Sequence, residues 1–233
     1  MIYAANFKTN NTKAYTKEYI DKLSNFLKAN NIKDEVFVFP TFCSLDSYEV
    51  PKNLTIGAQN AYPAKNGSFT GEIGLEQIDE FGIKTLLIGH SERREIFGET
   101  QEFIAKKFNF FKELGFKIIY CIGESKEIRD EGETLEYLWS EFDGIDLEYD
   151  NLIVAYEPIW AIGTGVSATK EDIDEVLSAL RTKVKAPLLY GGSVKSSNIN
   201  EVLSVKDCDG VLVGSASWRV ESFCDIIKEG VKA

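Results

Sequence analysis

The sequence predicts an α/β protein folded as a single (β/α)8 barrel, eight parallel strands surrounded by helices. Three observations lead there. Eight short apolar runs recur along the 233 residues. Longer stretches between them place apolar residues three and four apart, as helices with one buried face do. No linker-like Pro, Ser or Gly tract, low-complexity segment or sequence repeat divides the chain. Alternating strands and helices build a parallel sheet, and eight strands is the number at which such a sheet closes rather than staying open. With 44% hydrophobic and 12% aromatic residues the chain can fill one large core, so residues 1–233 read as one domain.

The first strand is expected over Ile2 to Phe7 and the second over Val36 to Phe39, with helical spacing from Thr16 to Leu27 between them. Thr55 to Ala58 and Thr85 to Ile88 supply the third and fourth strands. The connection between these two, QNAYPAKNGSFTGEIG (Gln59 to Gly74), is long, irregular and carries Tyr62 and Phe69. Such a loop either docks on something or packs on its own body. Gln101 to Leu114 then reads as a helix before the fifth strand, Lys117 to Ile122. Leu152 to Tyr156 forms the sixth, Lys170 to Val184 a further helix, and Pro187 to Tyr190 and Val211 to Val213 the last two strands.

Charge and composition exclude several classes of function. Lys and Arg total 26 against 37 Asp and Glu, a net charge of -11, which opposes binding to nucleic acid or an anionic membrane. An anionic substrate must therefore be drawn by a local site. The opening MIYAANFKTN turns polar by Asn6, unlike a secretory signal or membrane anchor, so a soluble cytoplasmic protein is expected. Cys43, Cys121, Cys208 and Cys224 form no CxxC pair and read as reduced thiols. His90 is the only histidine, which removes multi-histidine metal sites; neither a metal nor a cofactor is expected.

In a (β/α)8 barrel the loops after the C-terminal strand ends carry chemistry. Asn6 and Lys8 follow the first run. Gly89-His90-Ser91-Glu92-Arg93-Arg94 follows the fourth, and Glu157-Pro158-Ile159-Trp160-Ala161-Ile162-Gly163-Thr164-Gly165 the sixth. Gly191-Gly192-Ser193 and Gly214-Ser215 follow the last two. Singly, each has a bland explanation: a solvated lysine, a capping carboxylate, a tight Gly-Gly turn. On one rim, their types are complementary. Exchange between an aldose and a ketose needs a base to move a proton between adjacent carbons. It also needs an electrophile for the oxygens and a cation for developing negative charge. Glu157, His90 with Asn6, and Lys8 fit those roles.

Pro158 biases Glu157 toward extended backbone, so the glutamate should end its strand pointing into the mouth. Beside apolar Ile159, Trp160 and Ile162, its carboxylate is expected to be a stronger base than one in water. His90 precedes what reads as a first helical turn, whose partial positive charge favours a neutral imidazole able to donate a hydrogen bond. Gly163-Thr164-Gly165 lacks the third glycine of a dinucleotide fingerprint and reads as the tip of a lid. Gly192-Ser193 and Gly214-Ser215 offer backbone donors for a phosphate.

The segments NFKTN, IGHSERR, CIGE, AYEPIWAIGTG, LLYGGSV and VLVGSAS, with the Gln59–Gly74 loop, resemble the triosephosphate isomerase family along essentially the whole chain. HSERR and YEPIWAIGTG are very specific. The resemblance implies a TIM barrel that interconverts dihydroxyacetone phosphate and D-glyceraldehyde 3-phosphate through an enediolate, without a cofactor, in glycolysis and gluconeogenesis. It implies Glu157 as base, His90 as electrophile and proton shuttle, Lys8 as stabilising cation and Asn6 as orienting donor. Glu92 becomes a supporting carboxylate and Ser91 the partner of the resting glutamate. Gly163, Ser193, Gly214 and Ser215 would hold the phosphate, Ile162 and Leu212 would clamp Glu157, and Tyr190 would brace the closed lid near Ala168. A homodimer is also implied, the loop 59–74 docking beside the partner's mouth.

Three departures stand out: a shortened stretch between the lid and YGGSV, serine at 215 where the family commonly has glycine, and Val166-Ser167-Ala168 at the second hinge. None removes a catalytic residue. The weaker alternatives are another phosphate-binding barrel, such as a sugar-phosphate epimerase, and a non-catalytic barrel used for binding.

Overall fold

Each of the eight apolar runs is a strand in the computed structural model, which describes residues 1–162 and 167–232. They are β1 (Ile2–Asn6), β2 (Glu35–Phe39), β3 (Leu54–Ile56), β4 (Thr85–Ile88), β5 (Lys117–Ile122), β6 (Leu152–Tyr156), β7 (Leu188–Tyr190) and β8 (Gly210–Val213). All pair in parallel, in the order β3-β2-β1-β8-β7-β6-β5-β4. The two ends meet just beyond β3, where Ala58 donates to the Thr85 carbonyl at 2.9 Å and accepts from the Leu87 N–H at 3.0 Å. That single bridge closes the barrel. It also explains why the third strand, expected over Thr55 to Ala58, ends two residues early while Ala58 still pairs.

Helices α1 (Lys13–Ala29), α2 (Leu75–Asp79), α3 (Ser91–Glu95), α4 (Gln101–Glu113), α5 (Lys126–Asp130), α6 (Thr134–Ser140), α7 (Lys170–Arg181), α8 (Ile199–Leu203) and α9 (Val220–Gly230) surround the strands. The three longest begin where a threonine side chain accepts an N–H of the first turn: Thr12 from Tyr15, Thr100 from Phe103 and Thr169 from Asp172. None of the described helices is long and apolar enough to cross a membrane.

Alternation along the strands sorts the core into two shells. Ile2, Ala4, Phe37, Phe39, Leu87, Ile119, Cys121, Ile153, Ala155, Leu189 and Leu212 fill the barrel interior. Their neighbours, among them Tyr3, Val38, Ile88, Tyr120, Val154 and Tyr190, face the helices. The inward phase reaches Asn6, the last residue of β1, after Ala4, and Glu157, just past β6, after Ala155, so the pleat itself aims these two residues at the mouth.

Gly210 stands where β8 meets β1: a Cβ there would lie 2.0 Å from the Ile2 carbonyl oxygen. Rigid backbone leaves that clash no outlet except separation of the two strands. Gly210→Ala is therefore expected to destabilise the fold by about 3 kcal/mol, read as a lowered urea midpoint at unchanged slope. An unmoved midpoint would refute the strand contact.

Candidate active site

At the end of β1, Lys8 adopts a left-handed backbone with φ of 52°, a strained conformation for a side chain with a Cβ. Local bonds hold it there. The Asn6 side-chain oxygen accepts from the Lys8 N–H at 2.9 Å, and Gln59 Nε2 donates to the carbonyls of Lys8 at 2.8 Å and Phe39 at 2.9 Å. The ammonium then reaches Glu92 Oε1 at 2.9 Å. Asn6 is buried, whereas the Lys8 side chain keeps partial access to solvent. Gln59 was not singled out in the sequence, because nothing near it announces a contact with residue 8.

His90 caps α3, and its Nδ1 accepts the Glu92 N–H at 3.2 Å. With that lone pair engaged by a donor, Nε2 is the ring nitrogen that presents a proton to the cavity. Nε2 stands 3.1 Å from Glu157 Oε1. The other carboxylate oxygen, Oε2, accepts the Ser91 N–H at 3.0 Å, the partnership expected for the glutamate at rest.

Glu157 follows β6 and is almost completely buried. Two glycines make room for it: a Cβ at Gly123 would lie 1.9 Å from the Glu157 carbonyl oxygen, and one at Gly191 would lie 2.8 Å from its Cγ. Burial pushes the carboxyl upward, as expected from its apolar flanks. The His90 imidazole, the Ser91 N–H and the Lys8 ammonium outweigh burial and hold it below the ordinary carboxylate range. In this position Glu157 is thus a weaker base than burial alone would make it, which corrects the expectation drawn from its neighbours. Its basicity rises when the carboxylate moves away from these partners.

Asn6, Lys8, His90, Glu92 and Glu157 share one cavity of about 240 Å³ with Ile162, Leu212, Ser193, Gly214 and Ser215. The Ser193 hydroxyl donates to the Ala161 carbonyl at 2.7 Å, tying the β7 loop to the turn after Pro158. Gly214 precedes a 3₁₀ turn, Ser215–Ser217, that presents its start to the same cavity. Gly163 lies outside the described residues with Thr164, Gly165 and Val166. The Tyr190 hydroxyl is buried near the backbone of Ala168 and Ser193 without a hydrogen bond to either.

The sequence reading also missed the groups that anchor the segment after Glu157. Trp160 Nε1 donates to Glu124 Oε1 at 2.9 Å, Tyr156 Oη donates to the same oxygen at 3.0 Å, and the Ile159 N–H donates to the Glu124 carbonyl at 3.1 Å. Arg129 stacks over the Trp160 ring at 4.9 Å and reaches Asp172 in the capping box of α7 at 2.5 Å. Both flanks of 163–166 are thus fastened to the α5 region. Lys195 and Trp218 line the cavity as well. The CIGE segment was a signal for Glu124; Arg129 had none beyond its charge.

The family model described as triosephosphate isomerase matches residues 1–230. Proteins named triosephosphate isomerase from Sulfurovum sp. (strain NBC37-1), Wolinella succinogenes and Campylobacter jejuni subsp. jejuni are 59%, 53% and 52% identical to this chain. The alignments span 97%, 98% and 98% of the chain and 99%, 100% and 100% of those proteins, respectively. With such likeness over nearly its whole length, and this barrel and mouth, the chain belongs to the triosephosphate isomerase family.

Proposed function

We propose that this enzyme interconverts dihydroxyacetone phosphate and D-glyceraldehyde 3-phosphate by proton transfer through an enediolate, serving glycolysis and gluconeogenesis in the cytoplasm. The observation that carries the reading is His90, its Nδ1 held by the Glu92 N–H and its Nε2 within 3.1 Å of the Glu157 carboxylate, in a cavity that also receives Lys8. A substrate carbonyl entering between them takes the Nε2 proton as a hydrogen bond, freeing Glu157 to abstract a carbon-bound proton. Lys8 and Asn6 stabilise the charge that develops on the two oxygens. Gly163, Ser193, Gly214 and Ser215 hold the phosphate. Among the described residues no three His, Cys, Asp or Glu side chains gather into a metal-binding group, and the proton transfers need no cofactor. A coupled assay of glyceraldehyde 3-phosphate isomerisation, run with a chelator throughout, tests this. Turnover is expected to be undiminished; its absence from folded protein would overturn the reading in favour of a binding role, and loss to the chelator would favour a metal-dependent barrel enzyme.

The same proposal takes residues 1–233 as one domain and pairs two copies through the loop 59–74. Tyr62 packs on Phe69 with ring centroids 4.2 Å apart and on Phe103 at 5.7 Å, which stiffens the loop while leaving Phe69 exposed. Beside the catalytic mouth a groove of about 440 Å³ runs past Lys8, Gln59, Ile96, Phe97 and Trp218. Ile96 and Phe97 are 70% and 66% exposed, apolar surface that a second copy would cover. Phe97→Asp is expected to shift the protein from dimer to monomer in sedimentation velocity and to depress turnover. A wild-type protein that sediments as a monomer would refute the pairing.

A further inference from the structure

Behind the mouth, on the side away from substrate, lies a buried ion pair that the mechanism above does not use. Arg94 Nε donates to the Gly89 carbonyl at 2.7 Å, immediately before His90, and Nη2 donates to the Cys121 carbonyl at 3.3 Å at the end of β5. The same Nε stands 3.2 Å from Glu141 Oε1. Glu141 Oε2 accepts the Gly123 N–H at 2.7 Å, and Gly123 is the residue pressed against the Glu157 backbone. One arginine and one glutamate therefore fasten the β4 end that carries His90 and the β5 end, whose Gly123 packs against Glu157.

We propose that Glu141 is a positioning residue whose ionised carboxylate, acting through Gly123 and Arg94, fixes the β4 end carrying His90 and the β5 end packed against Glu157, so that turnover depends on its charge. The inference rests on the isomerase reading. An anionic acceptor grips an N–H and a guanidinium more tightly than a neutral one does. Protonation at Oε1, the oxygen that faces Arg94 and has no hydrogen bond, would set a proton against the guanidinium and loosen that side. Small displacements of Gly123 pass directly to Glu157, because no space separates them.

The charged and titratable groups facing Glu141 are Arg94, Glu157, Glu124, Tyr120, Tyr137 and Cys121. Burial is the main cause of its shift; Arg94 and the Gly123 N–H oppose it, Glu157 and Glu124 add to it, and the carboxyl is pushed up to about 7. The sign follows. Below that pH Glu141 is neutral and the strand ends are held less firmly; above it the carboxylate is restored and kcat rises. Stability moves the other way, because an acid with a raised folded-state pKa loses stability as pH rises from the ordinary carboxyl range through about 7.

The test compares kcat and KM for wild type and Glu141→Gln between pH 5.5 and 9. Wild-type kcat is expected to climb by about threefold to tenfold through an inflection near 7 that the variant lacks. The variant's kcat should stay near the wild-type acid limit, with KM little changed. Substrate phosphate titrates in the same range but acts alike on both proteins, so the difference between the profiles is what decides. A purely structural Glu141 would alter the urea midpoint and leave the two pH profiles superimposable, which overturns the inference. Should the variant fold poorly, the wild-type Gly123 amide nitrogen shift, followed by NMR over the same range, serves instead. A titration near 7 supports the proposal, and a flat response refutes it. Absent wild-type turnover at pH 8 fails the isomerase reading, whereas turnover with identical profiles fails only this inference.

Discussion

Glu157→Asp is expected to lower kcat on the order of 10² or more while KM changes little. The carboxylate would retreat by one methylene from a position fixed on several sides. Gly123 and Gly191 leave the glutamate backbone and Cγ no slack, and both oxygens have assigned neighbours in Ser91 and His90. An aspartate cannot keep the backbone placement and reach the same point in the cavity. Glu157→Gln keeps the shape but removes the base, so turnover should fall further still. Steady-state kinetics in both directions, with hydrogen exchange at the substrate carbons, separates the steps: binding persists and exchange slows in parallel with kcat. Binding lost together with turnover would sink the assignment of Glu157 as the base.

The barrel was legible in the sequence because its signals are local. β4, β5 and β6 coincide with the apolar runs at Thr85, Lys117 and Leu152. The strand ends on either side of those shift by one or two residues where pairing rather than hydrophobicity sets the limit, as at Phe7 and Pro187. Closure was expected from the count of eight strands, but the contact that makes it was not legible. A single bridge from Ala58 to Leu86 completes the circle, and neither residue carries any mark of the other.

The mouth divides in the same way. Asn6 ends β1, and His90 and Glu157 follow the ends of β4 and β6, so their positions could be read from the chain and all three line the cavity together. What tunes them comes from distant sequence. Ser91 reaches Glu157 across 66 residues, Gln59 reaches Lys8 across 51, and Glu141 reaches Gly123 across 18. Reading Glu157 from its immediate neighbours gave the desolvation and missed the opposing bonds, which is why its basicity was expected on the wrong side of the ordinary value. The buried Arg94–Glu141 pair went unread for the same reason, since charged residues are mostly exposed and nothing local distinguishes the exceptions.

Replacing Lys8 by Met should damage binding and rate together, lowering kcat/KM by about 10³, or ~4 kcal/mol of transition-state stabilisation. The chain carries a net charge of -11, so a phosphate monoester approaches against the overall field and depends on cations at the mouth. Lys8 lines the cavity beside Gly214 and is also the partner of Glu92. With methionine at position 8 the substrate would meet the Glu92 carboxylate without its counter-charge, so attraction turns to repulsion at the point of entry. The loss should appear as a raised KM, because the bound substrate is already anionic. It should also appear as a lowered kcat, because negative charge grows on the substrate oxygens as the enediolate forms. Lys8→Arg separates charge from geometry: it keeps the cation but places a planar fork on a left-handed backbone fixed by Asn6 and Gln59, so KM should recover more than kcat. An unchanged KM in Lys8→Met would show that the ammonium acts on the transition state alone.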